Sequence, residues 1–271
     1  MSKLYFLGPK GTYSEQAALK INGVLNNKFE LSPVSTIAKI VELVNKNADD
    51  VAVLPIENSI EGIVRQTIDN IYLDEAKIQA EIDVKVKHCL ISNGKKEQIK
   101  HIVSHPQALA QCSKYILQNF DENIDLISQN STSASVDFIM DKDETFSAIA
   151  SFELAKTTKL NIIDENIGDI KENKTRFILL SLKKINLAKN SRTSIMFNTK
   201  NESGALLKIL EIFKKYNLNL VYLESRPSKE VFGEYNFFAD IDEGIEKIEN
   251  ALKEVEQECK FYKLLGSYPI I

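Results

Sequence analysis

The sequence predicts an α/β protein with two lobes, followed by a smaller βαββαβ module of the ferredoxin-like kind. Three observations carry this. Up to about residue 182, short apolar strands alternate with segments of helical periodicity, the pattern of sheets joined by crossover helices, and parallel strands are expected. The units also divide in two, the chain leaving the first set near Ile78 and returning near Asn161, so lobe one covers about 1–78 and 161–182 and lobe two about 79–160. A cleft between lobes is a usual place for a small ligand. Third, a Lys- and Asn-rich stretch from Ser181 to Ser191 reads as a linker. Beyond it, residues 192–269 spell β-α-β-β-α-β.

Composition excludes several classes. With 271 residues about two domains are expected, and 44% hydrophobic content is ample for their cores. The net charge is −4 and the basic residues are scattered, so neither nucleic acid nor an anionic membrane is an expected partner. Cys89, Cys112 and Cys259 are odd in number and unpaired in spacing, as buried thiols would be. His88, His101 and His105 lack ligand spacing and no Gly-rich phosphate loop occurs, so no metal or nucleotide cofactor is expected. Met1-Ser2-Lys3 leads straight into a strand without the apolar core of a signal peptide, and no run approaches the ~20 apolar residues of a membrane span. A cytoplasmic protein is the expectation.

In order, strand Lys3–Leu7 meets the turn Gly8-Pro9-Lys10-Gly11 and a helix from Tyr13, where Thr12 and Glu15 have capping-box spacing. Helix Ile37–Asn45 and strand Val51–Leu54 follow. Glu57-Asn58-Ser59 then offers more polar side chains than a cap needs before a helix read through Ile60, Ile63, Val64, Ile68 and Ile71. Strand Val84–Ile91 crosses into the second lobe. Strand His101–Ser104 precedes His105-Pro106 at the start of a helix whose buried stripe is Leu109, Cys112, Ile116, Leu117 and Phe120. Ser131-Thr132 opens another helix, with Val136, Ile139 and Met140 inward. Strands Thr145–Ala150 and Leu160–Ile163 flank a helix near Ser151–Thr158. Four strand-to-helix turns thus present hydroxyl or amide groups at helix N-termini, which favour an anion.

The chain then reaches Asn173-Lys174-Thr175-Arg176-Phe177, a hydroxyl and a guanidinium opening the apolar strand Ile178-Leu179-Leu180. Only four of the 34 basic residues are arginine (Arg65, Arg176, Arg192, Arg226). A planar fork holds a carboxylate as lysine cannot. Neighbours on a regular strand face opposite ways, so either the strand begins after Thr175 and Arg176 or one of them has a supporting role.

Gly8-Pro9-Lys10-Gly11-Thr12-Tyr13-Ser14-Glu15-Gln16-Ala17, Pro55-Ile56-Glu57-Asn58-Ser59, His105-Pro106-Gln107-Ala108-Leu109-Ala110-Gln111-Cys112, Ser131-Thr132 and Thr175-Arg176-Phe177 resemble the motifs of the prephenate dehydratase family, in its order. Gly204-Ala205-Leu206-Leu207 and Glu224-Ser225-Arg226-Pro227 are similar to the two signatures of its regulatory ACT domain. Ser133, Lys174 and Ser203 depart from the usual residues without removing a reactive group. The resemblance implies a periplasmic-binding-protein-like catalytic domain over 1–182 and an ACT domain over 192–269. It also implies decarboxylating dehydration of prephenate to phenylpyruvate without cofactor, and phenylalanine as effector of a homodimer or homotetramer.

By the same resemblance Thr175, Arg176 and Glu57 are catalytic, with Thr175 or Glu57 assisting the departing hydroxyl. Thr12, Asn58, Ser59, Ser104, Ser131 and Thr132 bind substrate. Asn201, Gly204, Ala205, Leu206, Leu207, Glu224, Ser225, Arg226 and Pro227 bind effector. Arogenate dehydratase, and a two-lobed amino-acid sensor without catalysis, are the alternatives.

Overall fold

A computed structural model describes residues 2–72, 74–200, 202–228 and 234–271. Strand β1 (Lys3–Leu7) leads to helix α1 (Tyr13–Val24), β2 (Glu30–Val34), α2 (Ile37–Lys46), β3 (Val51–Asn58), the short β4 (Gly62–Ile63), α3 (Arg65–Ile71) and β5 (Lys77–Lys85). The second lobe holds β6 (His88–Ser92), β7 (His101–Ser104), α4 (Pro106–Gln111), α5 (Ser113–Asn119), β8 (Asp125–Ser128), α6 (Thr132–Ile139), β9 (Phe146–Ser151), α7 (Phe152–Thr157) and β10 (Asn161–Asp164). The chain returns along β11 (Lys174–Ser181) and continues through β12 (Arg192–Thr199), α8 (Ala205–Lys215), β13 (Leu220–Pro227), β14 (Tyr235–Ile241), α9 (Ile245–Glu258) and β15 (Cys259–Tyr268).

The first sheet has the order β2-β1-β3-β11-β5 with β4 on β3, and the second has the order β10-β6-β9-β7-β8. Both are mixed rather than parallel. Strand β11 re-enters the first lobe from the cleft end, where β3 and β5 leave, so it runs antiparallel to both. The lobe boundaries shift accordingly. β5 belongs wholly to the first sheet and β10 to the second, so the crossings fall at 86–87 and 165–173 rather than near residues 78 and 161. Val84–Ile91 is therefore two strands with the crossing between them.

Local chemistry explains most ends. Thr12 accepts from the Glu15 amide while the Glu15 carboxylate accepts from the Gly11 amide at 2.6 Å, so two otherwise orphaned donors start α1. Gly11 has φ +82° and lies where the lobes touch: a Cβ there would sit 2.9 Å from Leu154. The helix expected after Ser59 begins only at Arg65, because the Asn58 carboxamide binds the amides of Ile60 and Glu61 and Gly62 turns the chain at φ +77°. The helix after Pro106 breaks at Cys112, and Leu117 is 77% exposed instead of buried. Met140, just past α6, is also exposed.

The C-terminal sheet is antiparallel in the order β13-β14-β12-β15. One face, with Ile195, Phe197, Ala239 and Ile241, is covered by α8 and α9. The other is not solvated. Met196, Phe238, Leu265 and Tyr268 join Ile78, Ile178 and Leu180 of the first lobe in one core. At Gly266 an added Cβ would meet the Ile78 carbonyl oxygen at 2.3 Å. The tail continues the junction, with the Glu81 amide donating to Pro269 and the Ile271 amide donating to Glu81.

Candidate active site

Strand β11 opens at the cleft, and its first residues divide between its two faces. Thr175 is paired with Asn58 of β3 and Val84 of β5, whereas Arg176 is paired with Glu57 and Asp83. The register slips just after Arg176, leaving Ile56 unmatched, a bulge that aims these side chains at the sheet's end.

On the Thr175 face the groups are neutral amides and hydroxyls. Asn58 Nδ2 donates to Thr175 Oγ1 at 2.9 Å and to Asn173 Oδ1 at 2.9 Å. The Asn58 oxygen takes two backbone amides, at 3.0 and 3.1 Å, which fixes the way its nitrogen points. Ser59 Oγ donates to Asn173 Oδ1 and accepts from the Lys174 amide at 3.0 Å. Asn173 Nδ2 reaches across the cleft to Gln111 Oε1 at 3.1 Å. His88 Nε2 lies 3.1 Å from that same oxygen, and Gln111 Nε2 donates to Glu61. Thr175, Asn58 and Ser59 are thus brought together as expected. Gln111, Asn173 and His88 are additions.

Beside this network lies an interlobe cavity of about 980 Å³, lined by apolar side chains such as Leu19, Val84 and Leu154, with Lys10, Lys20, Lys85 and Lys87 and the carboxylates of Glu15, Asp83, Asp137 and Glu153 at its walls. Val84 joins the two, sitting opposite Thr175 and in the cavity wall. Thr12 lines the cavity, yet its hydroxyl donates to Pro9 O and caps α1. Ser131 caps α6 by accepting from the Ala134 amide at 3.0 Å, and Thr132 is that helix's first residue. Ser104 does not reach the cleft: it is fully buried and its hydroxyl donates to Ile149 O. His105 caps α4 through Nδ1. Among the described residues no three His, Cys, Asp or Glu side chains converge as a metal site requires.

On the other face, Arg176 makes four hydrogen bonds to three carboxylates: Glu57 at 2.6 Å, Glu81 at 2.7 and 3.1 Å, and Asp240 at 2.7 Å. Burial disfavours the charged guanidinium, but the carboxylates of Asp240 and Glu81 more than offset this and hold its pKa above its usual value. Arg192 adds a bond to Glu81 at 2.7 Å, and Ser194 bridges Asp240 to Tyr268. Arg176 and Glu57, which the resemblance places among the catalytic residues, are paired here with each other rather than opened to the cleft. Both are committed to a buried cluster joining β3, β5 and β11 to β12 and β14, on the side of the sheet away from Thr175.

The effector residues separate too. Gly204, Ala205, Leu206 and Leu207 line a recess of about 240 Å³ with Tyr235 and Phe237. Glu224, Ser225, Arg226 and Pro227 end the edge strand β13 and do not line it. Arg226 instead pairs with Asp69 of α3 at 3.2 Å. Asn201 lies outside the described residues.

A family model described as prephenate dehydratase matches residues 4–185. A prephenate dehydratase of Methanocaldococcus jannaschii is 42% identical over 268 residues, covering 97% of this chain and 96% of the relative. Among solved structures, prephenate dehydratase from Arthrobacter aurescens in complex with L-Phe superposes with a TM-score of 0.88 at 30% identity, over 98% of this chain and 90% of that one. The enzyme from Staphylococcus aureus gives 0.85 at 27% identity, over 98% and 99%.

Proposed function

The chain belongs to the prephenate dehydratase family, and from that premise we propose how its residues divide the work of an enzyme that turns prephenate into phenylpyruvate. In this step of aromatic amino acid biosynthesis the ring carbon loses its carboxylate as carbon dioxide. The electron pair moves into the ring, which becomes aromatic as the 4-hydroxyl leaves with a proton as water. The protein must hold a dianion and ease departure of hydroxide.

One observation carries the assignment of Thr175 to that second task. Asn58 Nδ2 occupies an acceptor position on Thr175 Oγ1, so the hydroxyl's own hydrogen is free to be donated to the leaving oxygen. Donors so placed contribute on the order of 10²–10³ in rate. The dianion is received in the interlobe cavity by the first amides of α1 and α6, with Lys10, Lys20, Lys85 and Lys87 offsetting the carboxylates of Glu15, Asp83, Asp137 and Glu153 in the same wall. Ser59 and Asn58 hold the reacting end, while Ser131 and Thr132 support the second lobe by starting α6 and Ser104 stays buried beneath it.

The C-terminal module acts in this reading as an ACT regulatory domain on a periplasmic-binding-protein-like catalytic domain, in a cytoplasmic homodimer or homotetramer. Phenylalanine occupies the Gly204–Leu207 recess, completed by the Glu224–Pro227 edge of a partner subunit. The recess, the exposed Leu207, Val221 and Leu223, and the phenylalanine bound to the Arthrobacter relative support this.

Absorbance-monitored phenylpyruvate formation by purified protein, with prephenate or arogenate and over a range of phenylalanine concentrations, tests the whole. Turnover of prephenate that falls as phenylalanine rises is expected. A flat response removes the regulatory role, and recovery of unchanged prephenate removes the catalytic one.

A further inference from the structure

His88 opens β6 at the crossing between lobes and is 4% exposed, with the Tyr13 ring edge-on at 6.1 Å. Nothing in the cleft chemistry above gives it a task. Its Nδ1 is buried and has no hydrogen-bond partner among the described residues, while Nε2 faces Gln111 Oε1. A proton on Nδ1 would be an unsatisfied buried donor, whereas one on Nε2 is accepted. The imidazole is accordingly neutral with its hydrogen on Nε2, and burial lowers its pKa in keeping with this, the Gln111 bond opposing only in part.

That tautomer sets a direction for every amide behind it. With Nε2–H donating, Gln111 presents its oxygen to His88 and also receives Asn173 Nδ2 there. Its own NH₂ then turns to Glu61 and the cleft. Asn173 accordingly presents its oxygen to Asn58 Nδ2, and Asn58 Nδ2 donates to Thr175. At the far end, the amides of Ile60 and Glu61 impose the same sense on Asn58. The other tautomer would set an acceptor against Gln111 Oε1. Gln111 would then flip and bring its NH₂ against that of Asn173, two donors face to face.

We propose that His88 is a positioning residue for the dehydration: its Nε2–H fixes the amide sense of Gln111 and hence of Asn173, whose oxygen then receives the Asn58 Nδ2 already set by the Ile60 and Glu61 amides and holds it in place on Thr175, leaving the Thr175 hydroxyl hydrogen directed into the cleft. The proposal rests on the dehydratase reading of Thr175. It predicts a loss in the chemical step rather than in binding, because His88 touches no substrate.

Two variants test it. His88→Met keeps a similar volume without a donor, and kcat falls on the order of tenfold to a hundredfold, as for other lost orienting contacts, with KM within about threefold. His88→Gln restores an N–H at similar reach and recovers kcat to within about fivefold of the parent. Unchanged kcat in His88→Met, a rise in KM alone, or a folded His88→Gln no better than His88→Met each overturns the proposal. Should His88→Met not fold, the imidazole ¹⁵N spectrum of the unaltered chain decides, since only three histidines contribute. An Nε2–H ring at neutral pH is expected for His88, and an Nδ1–H or doubly protonated ring overturns the proposal. That spectrum needs no turnover. Failure of the dehydratase reading would appear separately, as absence of phenylpyruvate from the unaltered protein.

Discussion

Thr175 and Arg176 are neighbours on one strand and belong to different machines. Toward the cleft, Thr175 receives Asn58 Nδ2 from a network of amides and hydroxyls that includes Asn173 and Ser59, whose value lies in the direction of their hydrogens. Away from it, Arg176 meets three carboxylates from two modules, where the value lies in charge compensation inside a shared core. Strand alternation makes this division possible: one short motif can present a reacting group on one face and anchor a second module on the other.

The contrast is broken most severely at the anchor. Arg176→Leu leaves Glu57 and Asp240 without their guanidinium and Glu81 with Arg192 beside it, and Asp240 is wholly buried. Leaving buried charges unpaired costs about 3–5 kcal/mol, so equilibrium denaturation should show a loss of that order. A folded, equally stable Arg176→Leu protein that merely binds substrate poorly would return Arg176 to the cleft. On the other face, Thr175→Ala should lower kcat by about 10²–10³ with an unchanged denaturation midpoint. Near-normal turnover would remove the hydroxyl from the mechanism.

A steric change sharpens the comparison without touching a charge. Gly266→Ala would put a Cβ 2.3 Å from the Ile78 carbonyl oxygen, which is backbone and cannot rotate away. β15 must then retreat from β5, at a cost of about 1–3 kcal/mol, and stability should fall more than kcat. Arg226→Ala is expected to do less, since it removes one largely buried contact, the pair with Asp69 at 3.2 Å, at a cost of about 1 kcal/mol.

The sequence made the cleft side legible because small polar residues after apolar strands have few other uses. Thr12, Ser131 and His105 were readable as caps, and Asn58 with Ser59 as an excess of polarity, since each interaction is local. The junction was harder to see because its partners are distant in sequence. A signal existed nonetheless: Glu81 between Ala80 and Ile82, and Asp240 between Ala239 and Ile241, are acids flanked on both sides by apolar residues, and a buried charge calls for a partner. Strand alternation says that Thr175 and Arg176 face opposite ways if the strand is regular, but which of the two faces the cleft depends on partners that are distant in sequence. The start of α3 was misplaced for another reason. Ile60 and Ile63 fit a helical period, but Gly62 and the Asn58 carboxamide prevail locally over that pattern. Gln111 lay within a recognised motif, and only the folded chain shows it crossing between lobes.

The smallest effect concerns pH and isolates the neutral face. Burial, with the Gln111 bond opposing only in part, sets the folded pKa of His88 below its unfolded value of about 6.5. Well above that value both states hold the ring neutral, and the stability linked to it is fully present. As the pH falls below it, the unfolded chain takes up a proton that the folded chain refuses, so stability declines until the folded pKa is reached. His88→Gln lacks a titrating group there, so its unfolding free energy should decline less steeply than that of the parent between about pH 7 and 5. Equal slopes would mean that the folded chain takes up the proton as readily as the unfolded one, which would require a second ring N–H that the orphaned Nδ1 cannot accommodate.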